Sequence, residues 1–176
     1  MKKLFLAVVL FLVLCMTACG LESVDQYESK IEDEAQKIRD MQEAPGTDGN
    51  ISITLTVRCD RVMKHPSLNT DAVIPDDGFW INEKKIVVKE ASSVYDVMIA
   101  ARYLELLDFK DGSNGGHTTG YISNINNLIE KECGPESGWK FAINGELAPM
   151  GCKQVKVKDG DEIVWFYAIT ANDTLN

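Results

Sequence analysis

Any chemistry in this 176-residue chain would have to come from five cysteines, two histidines, a scatter of serines and an excess of carboxylates. His65 and His117 each stand alone among turn residues, and neither belongs to a His-Glu-x-x-His pattern that would set two zinc ligands on one helix face. Ser113, Ser123 and Ser137 lack the tight strand-to-helix context that exposes a nucleophile. Asp76-Asp77-Gly78 and Asp111-Gly112 invite a calcium reading. With the glycine at the sharp turn of an EF-hand loop, ligand positions would fall on Val73, Pro75 and Lys84, or on Leu107, Phe109 and Thr118, so both loops fail. These aspartates are turn formers. The inventory points to a non-catalytic protein without a metal centre or a required cofactor.

The cysteines sort by position. Lys2 and Lys3 precede an uncharged apolar run from Leu4 to Leu14, which has the length of a signal-peptide core and is too short to span a bilayer. Met16-Thr17-Ala18-Cys19 resembles the bacterial lipobox, with Met16 where leucine is usual. The resemblance implies that residues 1–18 are a lipoprotein signal peptide and that Cys19 is the lipidation site. The mature protein is then expected on the extracytoplasmic face of a bacterial cell membrane, held by acyl chains that each contribute about 0.8 kcal/mol per buried methylene. Losing Lys2 and Lys3 moves the formal charge from −9 to −11. So acidic a surface repels phosphate backbones and anionic headgroups, which argues against nucleic acid and makes the lipid the expected membrane contact.

Residues 19–50 read as the lipidated cysteine, a helical stalk and a linker. Val24, Tyr27, Ile31, Ala35, Ile38 and Met41 recur at helical spacing among charged residues, and Ala44-Pro45-Gly46 ends the pattern. The stripe is narrow, which predicts a solvated helix, and residues 44–50 read as a flexible joint.

The domain is expected over residues 51–170, with 171–176 as a tail. Ile51, Ile53, Leu55, Val57 and Cys59 alternate with polar residues and predict a half-buried strand. Residues 65–78 predict a long loop and 84–89 a second strand. Ser93 and Asp96 form a capping-box pair ahead of a helix whose buried stripe is Val94, Val97, Met98, Ala101, Leu104 and Leu107. Strands follow: Trp139 to Ile143 alternates and ends in Asn144-Gly145, a tight-hairpin signal, and Asp159-Gly160-Asp161 turns the chain into the apolar run Ile163 to Tyr167. This order predicts an α+β fold, a β-grasp-like mixed sheet with one packed helix, although order alone also allows other two-layer α+β sheets.

The succession Gly120-Tyr121-Ile122-Ser123-Asn124-Ile125, Ser137-Gly138-Trp139-Lys140-Phe141 and Ile163-Val164-Trp165-Phe166-Tyr167 resembles the C-terminal domain of the transcobalamin-like cobalamin carriers. Such domains also occur alone in bacterial surface proteins of mostly unknown function. The resemblance implies that Cys133, before Ser-Gly-Trp, and Cys152, after the hairpin, are joined in a disulfide, which leaves Cys59 a buried thiol. It also implies a ligand-binding edge drawn from His117, Tyr121, Ile122, Asn124, Trp139, Pro149 and Met150. Two readings stay open. One is a lipid-anchored module that docks a surface protein, a glycan or a small ligand; the other captures cobalamin or another corrinoid and delivers it to a membrane transporter. In the carriers a large helical barrel forms the other wall of the site, and nothing in this chain supplies one.

Overall fold

The computed structural model describes residues 23–65, 70–112 and 120–175. The expected signal peptide, the lipidation site Cys19 and the candidate His117 lie outside the described residues. The chain divides into two compact units, 1–36 and 37–176. The described part of the first is helical. Ser23 and Gln26 cap it reciprocally, each backbone N–H donating to the other's side-chain oxygen, and helix α1 then runs over Val24–Gln42. Of the apolar stripe, Val24, Tyr27 and Ile31 are exposed and Ala35 is buried.

The second unit is an α+β fold. A five-stranded sheet has the order β2-β1-β8-β6-β7, built from β1 (Asn50–Arg58), β2 (Phe79–Lys89), β6 (Gly138–Ile143), β7 (Glu146–Leu147) and β8 (Glu162–Ala168). Strand β1 is antiparallel to β2 and parallel to β8. That central parallel pair, reached through helix α2 (Val94–Tyr103), is the β-grasp-like arrangement expected from the element order. A second sheet, not anticipated, has the order β3-β4-β5 and comprises Phe109–Asp111, Ile122–Ile125 and Leu128–Ile129.

Local chemistry accounts for these elements. In β1, Ile53, Leu55 and Val57 are buried and continue into buried Cys59, so the alternating face is the core face. The capping box at Ser93 and Asp96 is formed, and Val94, Val97, Met98 and Ala101 of α2 are buried against the sheet. Asn144 and Gly145 both have positive φ, 50° and 85°, as the tight turn between β6 and β7 requires. Strand β2 begins at Phe79, five residues before the expected Lys84. A register shift opposite Leu55 and Val57 and the positive φ of Glu83, 47°, mark a bulge that the period-two pattern does not reveal.

Residues 44–50 are not loose. Asn50 Nδ2 donates to Ala44 O at 3.0 Å, Lys89 Nζ to Asp48 O at 2.9 Å, and the Glu90 amide to Gly49 O at 2.7 Å. The expected tail is likewise tied: Lys140 Nζ donates to Ala171 O at 2.6 Å and to Asp173 O at 3.2 Å, and Arg61 donates to Thr174 O at 2.6 Å. In both places the segment's backbone carbonyls are satisfied largely by donors from elsewhere in the domain, so a loop-like composition gives an ordered connection.

Candidate functional site

The hairpin that ends β6 is lopsided. Strand β7 has two residues, Glu146 and Leu147, which pair with Ile143 and Ala142, and one further bond runs from the Ala148 amide to Phe141 O at 3.1 Å. Beyond that point the chain leaves the sheet as a strap through Pro149, Met150 and Gly151. Between strap and sheet lies a cleft of about 430 Å³, within the size range of small-molecule sites.

Its floor is aromatic. Trp139 and Phe141 of β6 and Trp165 of β8 all line it, because Trp139 pairs with Tyr167 and Phe141 with Trp165 across the β6–β8 ladder, placing these side chains on one face. The Phe141 and Trp165 ring centroids are 4.8 Å apart, and Trp139 meets Tyr167 edge-on at 5.3 Å. Ile122 closes the side toward the second sheet, Leu147 of β7 and the strap through Pro149 and Met150 form another wall, and Gly120 and Tyr121 stand at the mouth. The rim is apolar and accessible: Leu147 is 39% exposed, Met150 52% and Tyr121 37%. A second recess of about 510 Å³ lies beyond the strap, which also lines it.

The mouth has defined chemistry. Gly120 has φ of 73°, and a Cβ there would lie 2.6 Å from the Lys153 backbone nitrogen, so the close approach of the two segments requires glycine. The Cys152 thiol donates to Gly120 O at 2.6 Å, and burial pushes that thiol up to about 12. The Tyr121 hydroxyl donates to Glu130 Oε2, and burial together with this bond raises its pKa above the usual phenol value. Behind the mouth, Tyr95 donates to Asp111 at 2.8 Å and Lys153 pairs with the same carboxylate oxygen at 3.1 Å, which ties α2, β3 and the segment after the strap together. The Tyr95 bond, then Lys153, holds the Asp111 carboxyl below its ordinary value.

Tryptophan satisfaction is uneven. Trp80 Nε1 donates to Val73 O at 3.0 Å and Trp139 Nε1 to Leu128 O at 2.9 Å. Trp165 Nε1 is buried and finds no acceptor among the described residues. Lys140 also borders the cleft, but its ammonium is committed to the carbonyls of Ala171 and Asp173. Among the described residues no group of three or more His, Cys, Asp or Glu is arranged to hold a metal ion.

Of the candidates read from sequence, Tyr121, Ile122, Trp139, Pro149 and Met150 come together in this one cleft. Asn124 does not line it. It is buried in β4, paired with Lys110 and Ile129, two residues beyond Ile122 and so about 7 Å farther along the strand. The pairing of Cys133 with Cys152 is not formed. Both are buried free thiols, as is Cys59. The Cys133 amide donates to Ser137 Oγ at 3.0 Å beside the Tyr167 hydroxyl, while Cys152 is turned to Gly120. Phe141 and Trp165 are both core and cleft floor; Leu147 carried no signal beyond its neighbourhood, and Cys152 was expected in a disulfide and not in the lining of a cleft.

No curated protein matches the chain. Among solved structures it is similar to haptocorrin in complex with Cbi, at 16% identity and a TM-score of 0.49, with 72% of this chain and 27% of that chain covered. The chain thus spans about a quarter of the haptocorrin chain's length. It is also similar to a protein from Ruminococcus gnavus ATCC 29149 provisionally described as metal-binding, at 18% identity and a TM-score of 0.37, covering 67% of this chain and 96% of that one. Residues 91–168 match the model of a family described as a domain of unknown function, DUF4430, so helix α2, strands β3 to β8 and the whole cleft lie in the part of the chain similar to that family.

Proposed function

We propose that this protein is a non-catalytic binding module, anchored through Cys19 to the outer face of a bacterial cell membrane, that takes a small ligand in the cleft between β6 and the strap. The observation that carries this reading is the convergence of Tyr121, Ile122, Trp139, Pro149 and Met150 around one aromatic-floored recess. A preformed apolar concavity with a few polar groups is the usual form of a small-molecule site. A protein or glycan would instead engage the exposed rim of Tyr121, Leu147 and Met150, which is narrow for a stable macromolecular interface. The corrinoid reading stays attached to the same cleft. A whole corrinoid exceeds its volume, so it would enter by an edge, with the remainder left for another surface such as that of a transporter.

Titration of the full-length chain with cyanocobalamin, read by corrin absorbance and by tryptophan fluorescence, tests the choice. A saturable change that is lost in Met150→Ala with unchanged thermal melting supports the corrinoid edge. Quenching by smaller apolar ligands alone places the function with them, and full binding in Met150→Ala and Leu147→Ala moves the site elsewhere.

A further inference from the structure

The cleft is almost devoid of polar side chains, yet one buried donor beside it is unsatisfied. Trp165 is 2% exposed, lines the cleft, and its Nε1–H has no acceptor among the described residues, whereas the other two tryptophans each have a carbonyl within 3.0 Å. Indole N–H groups that are buried normally find a partner, because the desolvation of a lone donor is costly. The strand ladder does not require tryptophan here: Trp165 pairs with Val57 on one side and Phe141 on the other, and phenylalanine would fill the same stacked position without an orphaned group.

Charge restricts the ligand further. Among the described residues the cationic side chain that borders the cleft is Lys140, whose ammonium is bonded to Ala171 O and Asp173 O, and the Tyr121 hydroxyl is turned to Glu130. Lys140 keeps its charge but directs its ammonium to those carbonyls, so an ionised ligand would lie without a directed counter-ion against Trp139, Phe141 and Ile122, which is strongly unfavourable.

We infer that the cleft selects an uncharged, flat apolar ligand that presents one carbonyl-type hydrogen-bond acceptor to Trp165 Nε1. Trp165 is then the specificity-determining residue of the site proposed above, on which this inference rests. The donor lies under the surface of the floor, so the ligand reaches it as the strap side of the cleft gives way. Met150, a flexible exposed side chain, and Ala148, held by a single bond to Phe141 O, are the groups that yield.

Three probes of one ring system decide it: 2-acetylnaphthalene, 2-ethylnaphthalene and 2-naphthoate, titrated into the full-length chain and into Trp165→Phe at the same detergent concentration. Comparing the two proteins cancels partition into detergent. The ketone should bind the wild type roughly three- to tenfold more tightly than the hydrocarbon, the margin of one buried neutral hydrogen bond, and that preference should vanish in Trp165→Phe. The naphthoate should bind most weakly. In the wild type, the Trp165 indole N–H resonance, assigned through the proximity of its ring to that of Phe141, 4.8 Å between centroids, should move downfield with the ketone and not with the hydrocarbon. This second reading stands even where the variant fails to fold. Equal binding of ketone and hydrocarbon, or a preference that survives in Trp165→Phe, overturns the acceptor assignment while leaving the cleft as a binding site. Tighter binding of naphthoate overturns the restriction to uncharged ligands. No binding of any probe overturns this inference, and if cyanocobalamin gives no response either, the small-ligand reading beneath it falls as well.

Discussion

The side chain of Gln42 clasps the backbone of Val87: its Oε1 accepts from the Val87 amide at 2.8 Å and its Nε2 donates to the Val87 carbonyl at 2.9 Å. Val87 lies in β2, the edge of the five-stranded sheet. One carboxamide thus does for the outward peptide groups what a further strand would do. Nε2 also reaches Ile38 O at 3.0 Å, which fixes the clasp to the last turn of α1. Gln42→Ala should lower stability by about 1–3 kcal/mol, the cost of leaving two partly buried peptide groups without partners. Urea unfolding with an unchanged slope would show that cost; a change below 0.5 kcal/mol, the scale of an ordinary surface substitution, would mean that water replaces the carboxamide.

Glycine at the mouth of the cleft should be far less replaceable than glycine in the hairpin. Gly120 and Gly145 both have positive φ, 73° and 85°, but only at Gly120 does an added Cβ collide, at 2.6 Å from the Lys153 nitrogen. Gly145→Ala should cost on the order of 1 kcal/mol in backbone strain, and Gly120→Ala more than that, because the clash adds to the strain. Parallel thermal melts check the order of the two effects.

The alkaline limb of stability should be set by buried thiols. Burial raises Cys59 and Cys152 from 9.0 to about 12, so the fold holds their protons more tightly than the unfolded chain does. Their contribution is complete below pH 9 and is lost as pH climbs toward 12, by at most about 1.4 kcal/mol per pH unit for each group. Tyr95, raised from 10.0 to about 12 by burial and by its bond to Asp111, is part exposed and adds less. Denaturant midpoints measured from pH 7 to 11 should fall with this onset, and both thiols should resist alkylation at pH 8 until the chain unfolds.

On the acid side the sign reverses. Asp60 is lowered by its hydrogen bond from Arg58, and Asp111 by the bond from Tyr95, so each stabilises the fold while ionised and ceases to as pH falls through its depressed value. Tyr95→Phe should shift the acid midpoint upward and leave the neutral-pH fluorescence spectrum unchanged.

Ser93→Ala should cost about 1 kcal/mol, since the serine hydroxyl accepts from the Asp96 amide while the Asp96 carboxylate accepts from the Ser93 amide. Ser93→Asn should recover part of this, which separates capping from packing.

Most of the fold was legible because it rests on local rules. Alternation in Ile51 to Cys59, the Ser93–Asp96 pair and Asn144-Gly145 each dictate a conformation irrespective of distant contacts. The second sheet was not legible, because β3, β4 and β5 are short and their turn is carried by Asn126 and Asn127, at φ of 48° and 67°, without the glycine that usually announces such a turn. The cleft was half legible. Tyr121, Ile122, Trp139, Pro149 and Met150 were named together through resemblance, but Phe141 and Trp165 carry an alternation identical to that of pure core residues. Only the missing acceptor at Trp165 Nε1 distinguishes that residue, and satisfaction of a donor is a property of three-dimensional neighbours.

The strap at Pro149 and Met150 lines two recesses and adds nothing to the strand ladder. The capacity of the site is therefore written in a connection and not in the sheet. Lengthening a loop costs little, about 0.6 kcal/mol per doubling, and here it would leave Trp139, Phe141 and Trp165 in register. A change of a few residues in this one segment would re-size the recesses on either side of it while the aromatic floor kept its register.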